Sequence, residues 1–168
     1  MCTHYIPTMI QQNEELIRLI KDDEIMQMKP IIYSCGHKNL YVAYKSEHNG
    51  IKYFIVAGDT HPYAYVMCDD KFIHDHKNRY GGLDCINVHG GVTWIGEVDR
   101  LLCHPKEYSG ICFGWDYGHL YDWNGYYTDE QNYLCGLHKY TTMEIKTECI
   151  GVINQYLEVL EKDKNDND

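Results

Sequence analysis

Leu40-Tyr41-Val42-Ala43-Tyr44-Lys45-Ser46-Glu47-His48-Asn49-Gly50-Ile51-Lys52-Tyr53-Phe54-Ile55-Val56 contains two β-branched and aromatic runs joined by a polar linker that ends in Asn-Gly. Such side chains fit a pleated, half-buried surface. Asn-Gly supplies the positive φ angles of a tight hairpin turn. The stretch therefore predicts an antiparallel β-hairpin. Ahead of it, Ile31-Ile32-Tyr33 predicts another strand, and behind it Tyr63 to Cys68 predicts one more. Further strands are expected at Cys85-Ile86-Asn87-Val88, at Val92-Thr93-Trp94-Ile95 and at Ile111-Cys112-Phe113. The polar stretch Asp69 to Gly82 reads as an exposed loop, and residues 96–110, with Pro105 and Gly110, as a connection. Residues 117–140, rich in tyrosine, glycine and asparagine, read as a long loop of the kind that carries function.

Two helices bracket the strands. Residues 8–24 place Met9, Ile10, Leu16, Ile17, Leu19 and Ile20 at helical spacing after Pro7. Near the other end, Thr141 followed by Glu144 has the form of a capping box, in which hydroxyl and carboxylate each satisfy an orphan backbone N–H. Ile145, Cys149, Ile153, Tyr156, Leu157 and Leu160 then form an apolar stripe. The expected fold is α+β, a mainly antiparallel sheet with an N-terminal and a C-terminal helix packed on it. One domain is expected over residues 1–162, with residues 163–168 as a disordered acidic tail.

Twenty-five acidic against fifteen basic residues give a formal net charge of -10, which disfavours nucleic-acid polymers and anionic membrane surfaces as partners. No signal peptide is visible at Met1-Cys2-Thr3-His4-Tyr5, and apolar runs such as Phe54-Ile55-Val56-Ala57 are too short to span a bilayer. A reducing cytosol is the expected compartment, with the eight cysteines mostly free thiols. Cys35, Cys68, Cys85, Cys112 and Cys149 have apolar or strand-like surroundings and read as core fillers.

Two glycine-flanked segments stand apart, His89-Gly90-Gly91-Val92-Thr93-Trp94 and Gly114-Trp115-Asp116-Tyr117-Gly118-His119-Leu120-Tyr121-Asp122. Gly90-Gly91 allows a tight turn or a close backbone approach to a ligand, with His89 at the lip. Asp116, His119 and Asp122 recur every three residues, a spacing that one helical turn or a compact loop would gather on one side. A carboxylate there can fix a histidine tautomer for acid–base or ligand-holding work. A plain hairpin turn and a structural hydrogen-bond network explain the same residues. His74-Asp75-His76 with Asp69-Asp70, Cys35-Gly36-His37 and Cys103-His104 offer metal-ligand types, but neither Cys-x-x-Cys nor His-Glu-x-x-His occurs. Solvated loop histidines are expected there, and neither a metal nor another cofactor is expected. No nucleophile elbow or phosphate loop is present. Of the sixteen tyrosines, Tyr117, Tyr121, Tyr126, Tyr127, Tyr133 and Tyr140 crowd the long loop beside Trp115 and Trp123, where they could clamp a nucleobase or cover the core.

At these segments the chain resembles a family of uncharacterised small phage and prophage proteins, marked by His-Gly-Gly-(Leu/Ile)-Thr-Tyr and then Gly-Phe-Asp-Cys-Ala-His-x-Gly-Asp. The likeness runs from about Tyr63 to Leu157, with His89-Gly90-Gly91, Thr93, Gly114, Asp116, His119 and Asp122 in register. Trp94, Trp115, Tyr117-Gly118 and Tyr121 depart from the pattern. The family's Gly-His-Pro segment is absent, unless Ile73-His74-Asp75-His76 stands in for it. The resemblance implies a phage accessory protein and brings no established activity.

Three functional readings follow. In the first, His89, Gly90, Gly91, Thr93, Trp94, Trp115, Asp116, His119, Tyr121 and Asp122 bind a small polar, nucleotide-derived host signal and sequester it. The charge of -10 opposes an anionic ligand unless Arg79, Arg100 or Lys139 lies near. In the second, a phosphoester or glycosidic hydrolase uses His89, Asp116 and His119, the one reading that leaves a divalent ion open. In the third, the acidic, tyrosine-rich surface inhibits a host protein. Oligomeric state stays open, including a homo-oligomer with pockets between copies.

Overall fold

Asn49 at φ 49° and Gly50 at φ 81° close the hairpin, joining β2 (Lys38–His48) to β3 (Ile51–Ala57) with His48 opposite Ile51. The computed structural model describes residues 31–35, 38–57, 61–98, 109–123 and 125–166, with side chains from residue 44 onward except at Ala57. The N-terminal helix expected over 8–24 lies outside these residues, as do His37, Arg100 and Cys103-His104.

The hairpin supplies the second and third strands of a six-stranded sheet of order β1-β2-β3-β4-β6-β5, with every neighbouring pair antiparallel. The other strands are β1 (Ile31–Cys35), β4 (Pro62–Cys68), β5 (Trp94–Glu97) and β6 (Ile111–Asp116). Register shifts between Val42 and Tyr44 bulge β2. Period-two alternation splits the apolar side chains between the two faces. Tyr53, Ile55, Ala64, Val66, Phe113 and Trp115 share one cluster, while Phe54, Val56, Tyr65 and Cys112 belong to another.

The first cluster packs against α3 (Thr142–Asn165). Thr141 and Glu144 form the expected capping box, and Ile145, Cys149, Val152, Ile153 and Tyr156 are buried along the stripe. Each such large side chain removed from water contributes about 1.5–3 kcal/mol. The helix continues to Asn165, so Asp163 to Asn165, the first residues of the expected tail, are helical. Lys162 and Lys164 favour the negative end of the helix dipole, and His76 Nε2 meets Asp163 Oδ2 at 2.7 Å. The architecture is α+β.

Three local expectations are corrected. Residues 69–82 are not simply a loop: α1 (Asp70–His76) starts where Asp69 accepts from Phe72 N, and it buries Phe72 and Ile73. Cys85 to Val88 is not a strand. Ile86 N donates to Leu83 O in a turn, and the side-chain amide of Gln155 on α3 takes both the N–H and the C=O of Asn87, which a strand would have offered to a neighbour. The long loop contains α2 (Asp129–Leu134), capped reciprocally by Thr128 and Gln131.

Candidate functional site

Helix α3 fixes the segment that bears His89. Gln155 holds Asn87, and Glu148, two turns earlier on the same helix, accepts from His89 N at 2.9 Å. The other oxygen of Glu148 accepts from the Tyr117 hydroxyl, which itself accepts from Trp115 Nε1 at 2.9 Å. Burial, then the neighbouring Glu148 carboxylate, pushes the Tyr117 hydroxyl far above its ordinary pKa, so it remains a neutral donor. Gly91 N donates to Val88 O, closing a turn around His89 and Gly90, the latter at φ 66°. Gly90 suits this place, since at its positive φ an added Cβ would be strained and would run into the imidazole of His119, which would have to shift.

The second segment follows the end of β6. His119 N donates to Asp122 Oδ2 at 2.8 Å while Asp122 N donates to His119 O, which makes a closed turn. Trp123 N to His138 O and His138 N to Tyr121 O pin this turn to the chain beyond α2. Asp122 is 3% exposed, and its Oδ2 also meets His89 Nε2 at 2.8 Å and His119 Nδ1 at 3.3 Å. The imidazoles of His89 and His119 stand edge to face at 5.0 Å. Tyr117 stacks on His89 from one side, and the Tyr140 hydroxyl reaches His89 Nδ1 at 3.3 Å. Desolvation and then the charges of Asp122 and Glu148 raise the Tyr140 pKa, so this hydroxyl also stays protonated. The side chains of His89 and His119 are 25% and 37% exposed, so solvent reaches the cluster past the imidazoles.

The structure thus brings together His89, Gly90, His119 and Asp122, and it places the other expected site residues elsewhere. Asp116 is still on strand β6, one position from Trp115, and strand alternation turns it to the opposite face. It accepts from Thr93 Oγ1 at 3.0 Å and from Gly118 N, and it lies 3.7 Å from His61 Nε2. Asp116 therefore does not join His89 and His119, and Asp122 is the carboxylate that the two imidazoles share. Trp115, 1% exposed, is core rather than pocket wall. Tyr117 is likewise buried rather than part of an aromatic roof. Trp94 packs edge-on against Tyr65 with the second apolar cluster. Gly91 is half-buried, and Tyr121 is exposed beside Leu120, with Tyr126, Tyr133 and Leu134 exposed further along.

Glu148, Gln155 and Tyr140 complete the surroundings; the first two were not singled out from the sequence, and Tyr140 was read only as one of the loop tyrosines that could clamp a nucleobase or cover the core. Glu148 had a signal: it is an acidic residue inside the apolar stripe, three residues after Ile145 and one before Cys149. His89, His119 and Asp122 each offer a ligand-type atom, all within 4.8 Å of one another. Of the cations considered for an anionic ligand, Arg79 lies over Tyr80 and Lys139 over Trp123. Among the described residues, no helix is long and apolar enough to cross a membrane. Comparison of the chain with protein-family models, with curated proteins and with solved structures gave no match.

Proposed function

We propose that this is a phage-type accessory protein that binds a small polar, nucleotide-derived molecule at the Asp122 cluster and holds it away from its receptors. The observation that carries the reading is the convergence of His89 and His119 on one buried carboxylate oxygen in a turn that also projects Tyr121 into solvent, 74% exposed. Imidazole edges suit ribose hydroxyls or phosphate oxygens, and an exposed phenol ring offers a stacking face to a base. The Tyr140 hydroxyl at the cluster is a polar group that adds no negative charge.

Calorimetry against a panel of cyclic and ADP-ribose-type nucleotides tests it. Saturable heat with one class, lost in His119→Gln, is the expected result. Heat from none of the panel would reject the reading.

A hydrolase is the second reading, favoured by the hydrogen-bonding arrangement itself. Asp122 orients both imidazoles, as a general base requires, and one of them can take a proton from water. Heat denaturation after incubation separates the two readings. A sequestering protein returns the ligand intact, whereas a hydrolase returns products.

A further inference from the structure

Oδ2 of Asp122 is approached by His89 Nε2 at 2.8 Å, by His119 Nδ1 at 3.3 Å and by the backbone N–H of His119 at 2.8 Å. A carboxylate oxygen has two lone-pair directions, and three nitrogens crowd it. Two ligands bound to one first-row divalent ion stand roughly 2.8–3.4 Å apart, given metal–ligand bonds of about 2.0–2.1 Å. Both side-chain separations at Asp122 fall in that interval. We infer that His89 Nε2, His119 Nδ1 and Asp122 Oδ2 form a three-ligand site for a first-row divalent cation of the zinc class, with its open coordination positions on the solvent side.

Two further observations, independent of those distances, agree. Ligating histidines have their second ring nitrogen engaged by a hydrogen-bonding group that fixes tautomer and orientation. His89 Nδ1 meets the Tyr140 hydroxyl, which leaves Nε2 directed at the centre. The rings are also held by groups that are not ligands: Tyr117 stacks on His89, and the bare Cα of Gly90 presses on His119. Such support keeps donors in place before a ligand arrives. Two imidazoles and one carboxylate suit zinc and its first-row neighbours better than magnesium or calcium, which favour all-oxygen sets. Three protein ligands leave positions for water or for an incoming anion.

The inference deepens the ligand reading and supplies what it lacks. An anionic ligand must approach a chain of net charge -10, and Arg79 and Lys139 both lie over aromatic rings. A bound divalent cation would place two positive charges at the cluster and hold a phosphate or ribose oxygen directly. Only the nucleotide arm of the experiment rests on that reading.

The full-length protein, freed of metal by a chelator, is titrated with Co2+ and then with Zn2+. One equivalent of Co2+ per chain is expected, with visible absorption of a low-symmetry site that one equivalent of Zn2+ removes. His119→Gln, at the more exposed imidazole, is expected to lose this stoichiometric binding while keeping its circular dichroism. Tyr140→Phe is expected to weaken it about 10-fold or more. His74→Gln, at an exposed histidine of α1, leaves it unchanged. No saturable binding in the wild type, or equal binding in His119→Gln, overturns the inference. Should His119→Gln fail to fold, the imidazole 15N signals of the wild type decide. His89 and His119 must shift on zinc addition while His74 stays, and unmoved signals overturn the site. The nucleotide panel is run with and without Zn2+. Tight nucleotide binding that ignores zinc overturns the coupling of metal and ligand, whereas zinc binding without any nucleotide binding overturns only the ligand reading.

Discussion

The backbone of Gly90 lies so close to the imidazole of His119 that a Cβ at position 90 would run into its Cε1. Gly91, next in the chain and also at positive φ, has nothing within 4 Å of its virtual Cβ. The pair separates two effects that a single substitution would merge. Gly91→Ala is expected to cost only the backbone strain, about 1–2 kcal/mol. Gly90→Ala adds displacement of His119, so it should be the less stable in urea and should also lose whatever the cluster binds. Equal denaturation midpoints and equal binding for the two variants would contradict this account.

Tyr117 is fully buried, and its hydroxyl joins Trp115 Nε1 to Glu148. Tyr117→Phe keeps the ring that stacks on His89 and deletes the bridge, leaving the indole N–H and a carboxylate oxygen without that partner. The expected loss of stability is about 1–3 kcal/mol. A denaturation curve unchanged from wild type would show that water replaces the hydroxyl at no cost.

Alkaline pH should unfold the protein cooperatively. Burial raises the pKa of the Tyr53, Tyr65, Tyr117 and Tyr156 phenols and of the Cys68 and Cys149 thiols, and it pushes that of Cys112 up to about 12. In the unfolded chain these groups lose protons at their ordinary values, so above about pH 9 the unfolded state binds fewer protons than the native state. Stability is therefore fully present below that pH and falls as pH rises towards 12. Tyrosinate absorbance and circular dichroism should change together. A gradual phenol titration with the fold intact would contradict this assignment.

The same burial sets thiol reactivity. Among the described cysteines, Cys135 is exposed, just past the end of α2, while Cys112 and Cys149 are buried. Alkylation at neutral pH, followed by peptide mapping, should label Cys135 well before Cys68, Cys112 or Cys149, because a protonated thiol inside the core is a poor nucleophile. Early labelling of Cys149 would mean that α3 detaches from the sheet readily.

What could be read from the sequence was what is encoded locally. Asn49-Gly50 dictates its own turn and Thr141 with Glu144 its own cap, so the hairpin and α3 were both legible. Helix α1 was not, because its apolar face within a charged stretch is little more than Phe72 and Ile73, and its N-cap is one aspartate beside another. Strand order was also hidden, since β4 pairs with β6 rather than with β5. At the cluster, composition singled out His89, His119 and Asp122, yet the three-residue spacing also enrolled Asp116. That spacing gathers side chains on a helix, but Asp116 belongs to the period-two geometry of β6. The partnership of His89 with Asp122 spans 33 positions, and no short-range pattern could announce it.

The cluster draws on three separated stretches: the turn at His89, the turn that begins at His119, and the approach to α3, whose Tyr140 hydroxyl meets His89 Nδ1. Each stretch is anchored by a different part of the fold, with α3 holding the first, β6 delivering the second and the bridge to His138 restraining the third. The site is accordingly complete only when all three stretches are in place, Tyr140 included. Anything that binds there selects the finished molecule over every partly folded form, so its affinity is also a measure of assembly. A rise in melting temperature with added metal would then register the closing of the chain as much as the filling of a site.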